Sequence, residues 1–162
     1  MIRTGKILCC KKNNRYLLLF IAFSGEELGL VGSESLAQQL NLKLIKAVIN
    51  LEMLGRPLRN RCYAISSKKT AVAKVLNRQL NKYDTQAKSD FFLNDIFPGE
   101  SLFYRSDHYP FAKKVKNAFT IMGSSPEDQY YHTVDDEYSN IDFNFLLLAT
   151  KNIALSCNYF IE

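Results

Sequence analysis

With 162 residues and a net charge of +5, the chain has the size of one domain, and 47% apolar with 23% charged residues is ordinary for a globular protein that buries a core. The longest apolar run, residues 17–23, is far short of the roughly 20 residues that cross a bilayer, and lysines interrupt the apolar stretch of the opening "MIRTGKILCCKKNNR", so neither a membrane span nor a signal peptide is expected. Cys9, Cys10, Cys62 and Cys157 have neither C-x-x-C spacing nor the density of a disulfide scaffold. They are expected to be free packing residues.

In chain order, "LLLFIAF" reads as a fully buried strand over residues 17–23, followed by a helical pattern over 28–40. "IKAVINLEM" from Ile45 and "CYAIS" from Cys62 read as further strands, and residues 70–82 as a second helix. Ser106 is a candidate N-cap with Asp107 in the first turn of another helix, "AFTIMG" from Ala118 is a fourth strand, and residues 141–160 form a closing helix. Buried strands alternating with helices predict one domain, an α/β fold with a three-layer α/β/α sandwich around a mostly parallel, mixed sheet.

The charge is uneven. From Lys43 to Lys88 there are eleven Lys or Arg against Glu52 and Asp84, whereas residues 127–142 are acidic. A basic middle could attract nucleic acid. In "KKTAVAKVLNRQLNK", however, the basic residues alternate with Leu, Ala and Val at helical spacing, which is the pattern of a solvated helix face, and no aromatic-basic motif that reads bases accompanies them. No nucleic-acid partner is expected.

In open α/β sheets ligands collect at the carboxyl ends of strands, and here those ends carry acid. The first predicted strand runs into Ser24-Gly25-Glu26-Glu27 and the second ends at Glu52, while the loop "SSPEDQYYHTVDDEY" after the fourth holds His132, one of two histidines. Glutamate and histidine are donors that zinc accepts, and a catalytic zinc keeps one position for a water whose pKa it lowers to about 7. In an adjacent pair, one glutamate can hold a metal while its neighbour takes up a proton. The alternative is that Glu26 and Glu27 simply favour a helix N-terminus, where the dipole stabilises acidic side chains.

Four stretches shift that balance. "FIAFSGEELGLVGS" resembles the glutamate-doublet motif of the zinc exopeptidase family that includes bacterial leucyl aminopeptidases, glutamate carboxypeptidases and, on the same scaffold, glutaminyl cyclases. "VINLEMLGR" is similar to that family's next ligand strand, usually N-L-D-M-I-G-R, with Glu for Asp. "YRSDHYPFAKK" is similar to its S-D-H-x-x-F segment, and "YYHTVDDEYSNID" to its Y-H-T-x-x-D segment. The four occur in the family's order from about Arg15 onward.

The resemblance implies a zinc-dependent exopeptidase of aminopeptidase type, acting on a peptide or small amino-acyl substrate with up to two zinc ions. Glu26 would be the general base, Glu27 and His132 ligands of one zinc, and Glu52 a ligand of the other. Asp107 and His108 would make hydrogen bonds behind the ligands or line the substrate pocket. Tyr131 and Asp135 would hold the His132 loop, with Asp135 placed to orient an imidazole.

The chain departs from the family before the doublet, where relatives carry a histidine ligand and a bridging aspartate. It has no His before His108 and no Asp before Asp84. This predicts an N-terminally truncated domain with impaired activity and an uncovered apolar edge that invites self-association. A non-catalytic remnant or interaction module and a glutaminyl-cyclase-like acyltransferase are the competing functions. Relatives are often exported, so localisation stays open.

Overall fold

The computed structural model describes residues 15–67, 71–125 and 127–161. Its helices are α1 (Val31–Gln39), α2 (Val72–Tyr83), α3 (Leu102–Arg105), α4 (Tyr109–Ala112) and α5 (Phe143–Ile161). Its strands are β1 (Val48–Glu52), β2 (Cys62–Ile65), β3 (Phe92–Asn94) and β4 (Ala118–Met122). Among the described residues the strands form one mixed sheet in the order β1-β4-β2-β3, with β1 parallel to β4, β2 antiparallel to β4 and β3 parallel to β2.

The two inner strands, "AFTIM" and "CYAI", are buried at every position, as expected of strands covered on both faces. On one face α2 and α5 pack Leu76, Leu80, Phe145 and Ile153 against Ala64, Phe119 and Ile121. On the other, α1 and α4 bring Ala37 and Phe111 against Ala118 and Val48, and Leu102 packs with Tyr63 and Met122 nearer the carboxyl end of β4. The expected three layers are present.

α2 has the sharpest amphipathic pattern. Val72, Ala73, Leu76, Gln79 and Leu80 face the core, and Lys74, Arg78 and Lys82 lie exposed opposite them. Asn77, on the flank, accepts the Phe92 amide at 2.9 Å and donates to the Phe92 carbonyl at 2.7 Å, so the helix side chain substitutes for a ladder neighbour of the short edge strand β3. Asp142 accepts the Phe145 amide at 2.9 Å and so caps α5.

Two sequence expectations are corrected. Residues 17–23 do not form a buried strand: they run without regular structure, with Leu17 85% and Phe20 52% exposed. A strand needs a neighbour to pair its backbone groups, and among the described residues β1 pairs with β4 alone. Ser106 caps no helix N-terminus. It follows α3 at that helix's C-terminal end, and α4 starts only at Tyr109.

Cys62 and Cys157 are buried free thiols, pushed up to about 12 by burial, whereas Cys9 and Cys10 lie outside the described residues. None of the described helices is long and apolar enough to cross a membrane.

Candidate active site

The carboxyl ends of β1 and β4 open into a cleft of about 590 Å³. Glu26, Glu27, Glu52, Asp107, Arg105 and Tyr131 line it, with Leu51, Met53, Leu102 and Met122 among its apolar walls. β1 delivers Glu52 as its last residue.

The glutamate doublet sits in a tight turn ahead of α1, outside that helix's first turn. The amides of Gly29 and Leu30 both donate to the Glu26 carbonyl, at 3.0 and 2.9 Å. Gly29 holds φ at 96°, a left-handed conformation that glycine adopts without cost. At Gly32 a Cβ would lie 2.6 Å from the Ser24 carbonyl oxygen, so only glycine lets the start of α1 close against the turn. The glycine spacing of "SGEELGLVG" is thus the means by which two like charges are held over the cleft.

His132 lies on the loop between β4 and α5. Its Nε2 lies 2.8 Å from Glu27 Oε1 across 105 residues of sequence, and its ring stacks on Tyr131 with centroids 3.9 Å apart. His132 adopts φ 59°, an uncommon conformation for a residue with a Cβ.

The loop is fastened by residues that sequence reasoning passed over. Arg56 Nε donates to Asp128 at 2.6 Å and its Nη1 to Asp136 at 2.8 Å, with the guanidinium over the Tyr130 ring. Asp135 contributes its carbonyl, which accepts Asn140 Nδ2 at 2.8 Å, and its side chain is exposed. The arginine of "NLEMLGR" and the acidic run of residues 127–137 were the available signal.

Asp128 is 6% exposed and Arg56 18%, so removing the guanidinium leaves a buried carboxylate with the Ser124 hydroxyl and the Tyr130 amide as partners. Arg56→Met is therefore expected to lower stability by about 1–3 kcal/mol, since a shielded carboxylate loses its charged hydrogen-bond partner. Urea denaturation checks this, and a loss below about 0.5 kcal/mol, typical of a neutral surface change, would exclude the clamp.

Glu52 is the most perturbed acid. Burial pushes its carboxyl up to about 7, opposed by hydrogen bonds from Ser106 and Asn50 and increased by the charges of Glu26 and Asp107. Ser106 Oγ reaches Glu52 Oε1 at 3.0 Å and Asn50 Nδ2 reaches Oε2 at 2.8 Å. Glu26 is raised by burial, then by Glu27 and Asp107, with Arg105 opposing. Tyr131 is raised by burial first and then by Glu27. His108 lies behind the cleft, fully buried, with its Nδ1 2.8 Å from Thr120 Oγ1.

These donors fit zinc in kind but not in number. Glu27 and His132 are already paired, yet a catalytic zinc takes three protein ligands, and the described residues contain no group of three or more His, Cys, Asp or Glu arranged to hold a metal. Two donors on a tetrahedral zinc lie about 3.3 Å apart, so the 2.8 Å contact is a direct hydrogen bond that would have to open slightly.

Solved structures share this architecture. BSAP, a zinc aminopeptidase from Bacillus subtilis, superposes with a TM-score of 0.68 at 22% identity, covering 87% of this chain and 35% of its own. An aminopeptidase from Aneurinibacillus sp. strain AM-1 superposes with a TM-score of 0.64 at 21% identity, covering 86% and 32%. The chain thus spans about a third of the length of these relatives. No curated protein matches the sequence. The sequence profile of peptidase family M28 matches residues 2–156. A match over nearly the whole chain, carried on the same mixed sheet, places this protein in peptidase family M28.

Proposed function

We propose that the chain supplies part of a metallo-exopeptidase site of aminopeptidase type and is impaired when it acts alone. Glu26 is the general base, Glu27 and His132 hold one zinc, and Glu52 contributes to a second. The observation that supports this reading best is the 2.8 Å contact between Glu27 and His132 in a cleft that Glu26 and Glu52 also line.

When bound, zinc supplies Lewis acidity toward the substrate carbonyl and lowers the pKa of its water. Glu26, raised by burial and by its acidic neighbours, is suited to take up a proton at its carboxylate and return it to the leaving amine. The apolar walls, Leu51, Met53 and Met122, accommodate a substrate side chain and exclude water. The two-donor count favours a second reading, a metal-binding remnant without turnover.

Titration of the chain with Zn²⁺ in a calorimeter tests the metal assignment. One weak site is expected, lost in both Glu27→Ala and His132→Ala. Binding that neither variant alters, or no binding at all, would defeat it.

A further inference from the structure

We infer that His108, through Thr120 and Asn50, is a positioning residue that sets the orientation of the Glu52 carboxylate. Asn50 and Thr120 are direct partners in the β1–β4 register, so the sheet places their side chains together. Asn50 Nδ2 donates to Glu52 Oε2 at 2.8 Å and to Thr120 Oγ1 at 3.1 Å, which uses both of its protons. Thr120 Oγ1 in turn lies 2.8 Å from His108 Nδ1, and both residues are fully buried, so no solvent competes.

The direction of these bonds follows from counting protons. Once ionised, the Glu52 carboxylate only accepts, so in that form the Asn50 amide nitrogen faces Glu52 and its second hydrogen points to Thr120. The Thr120 hydroxyl, already an acceptor, donates its own proton to His108 Nδ1. His108 Nδ1 therefore carries a lone pair, and the ring is the neutral tautomer protonated at Nε2.

The opposite tautomer would leave the Thr120 hydroxyl proton without an acceptor and His108 Nε2 without a donor, two buried unpaired groups where the chosen one leaves only the Nε2 proton. Nε2 makes no hydrogen bond. The imidazole meets the Phe103 ring edge-on at 5.1 Å, which fixes its plane.

The consequence for the cleft is a carboxylate held at Oε2 by Asn50 and met at Oε1 by the Ser106 hydroxyl, whose single proton is shared between Oε1 at 3.0 Å and the Leu102 carbonyl at 3.1 Å. Its remaining lone pairs lie at the cleft that Glu52 lines. Without the Thr120 acceptor the Asn50 amide is free to rotate, and Glu52 loses one of its two anchors. Groups behind a metal-holding side chain act in this way, by fixing its aim. The functional meaning of the relay rests on the proposed role of Glu52.

Two measurements test it. In the unmodified chain, ¹H–¹⁵N correlation of the imidazole at mildly alkaline pH, where Glu52 is ionised, is expected to show His108 protonated at Nε2 with a lone pair at Nδ1; protonation at Nδ1 would overturn the relay without any variant. In crystal structures, Thr120→Val is expected to release Asn50 from Glu52 and turn the carboxylate, and Thr120→Ser to restore both contacts. Asn50 and Glu52 unmoved in Thr120→Val would also overturn it. If Zn²⁺ fails to bind the chain, the proposed metal site falls, whereas these two readouts are unaffected.

Discussion

Incubated with Zn²⁺ and aminoacyl-p-nitroanilide substrates, the 162-residue chain is expected to show no turnover above a Glu27→Ala control. The reason lies in the donors. Glu27 and His132 are two side chains where three normally hold a catalytic zinc, and their positions, 67% and 55% exposed, give water ready access to compete for the metal. Glu26, the proposed general base, lines the cleft, but general base catalysis contributes only about 10²- to 10⁴-fold and cannot replace Lewis acidity at the carbonyl. A chimera carrying, ahead of the glutamate doublet, a segment with the histidine and bridging aspartate that the family resemblance implies is expected to regain hydrolysis. Zn²⁺-dependent hydrolysis by the unmodified chain, lost in Glu26→Gln, would overturn the expectation and mean that the missing donor comes from elsewhere in the chain or from a second copy.

Much of the fold was legible because burial leaves a mark on composition. "AFTIM" and "CYAI" are mostly apolar, with Thr120 the one polar interruption, since both their faces are covered, and α2 declares itself by a basic stripe opposite Leu76 and Leu80. The same rule misread residues 17–23, because an apolar run reports that side chains could be buried and not that a neighbouring strand exists. β3 was missed for the complementary reason: three residues held by Asn77 have too little length to show a period. Ser106 illustrates an ambiguity of residue type, since the hydroxyl that suits a helix cap is used here as a donor to Glu52.

The site divides in the same way. Glu26, Glu27, Glu52 and His132 were singled out by motifs, and the structure brings the first three to one cleft with His132 against Glu27. The supporting residues escaped notice. Arg56 reaches Asp128 and Asp136 across 72 and 80 residues, and Asn50 meets Thr120 across 70. Such pairs are set by sheet register and loop closure, and they leave no periodic trace in the sequence.

The second large effect concerns pH, where two buried groups oppose one another. Burial lowers His108 from 6.5 to about 4. As pH falls from 6.5 the unfolded chain takes up a proton that the native imidazole refuses, so native stability decreases toward pH 4. Glu52 does the reverse, its carboxyl rising from 4.5 to about 7. As pH rises from 4.5 the unfolded carboxyl loses its proton while the native one keeps it, so native stability decreases toward pH 7. Each shift corresponds to on the order of 3 kcal/mol at full extent.

Between pH 4.5 and 6.5 the two slopes have opposite sign and similar size, so their joint contribution to the metal-free chain is nearly flat. Removing either group exposes the other. In EDTA, urea denaturation of His108→Asn should give a stability that falls as pH rises across that window, reinforced by the raised carboxyl of Glu26. Glu52→Gln should give one that rises, by about 2–3 kcal/mol from pH 4 to 6.5. Parallel pH profiles for the two variants would mean that neither group is held in the protonation state that its burial requires, and slopes of the opposite signs would mean that both groups are charged in the native state, with the shifts reversed.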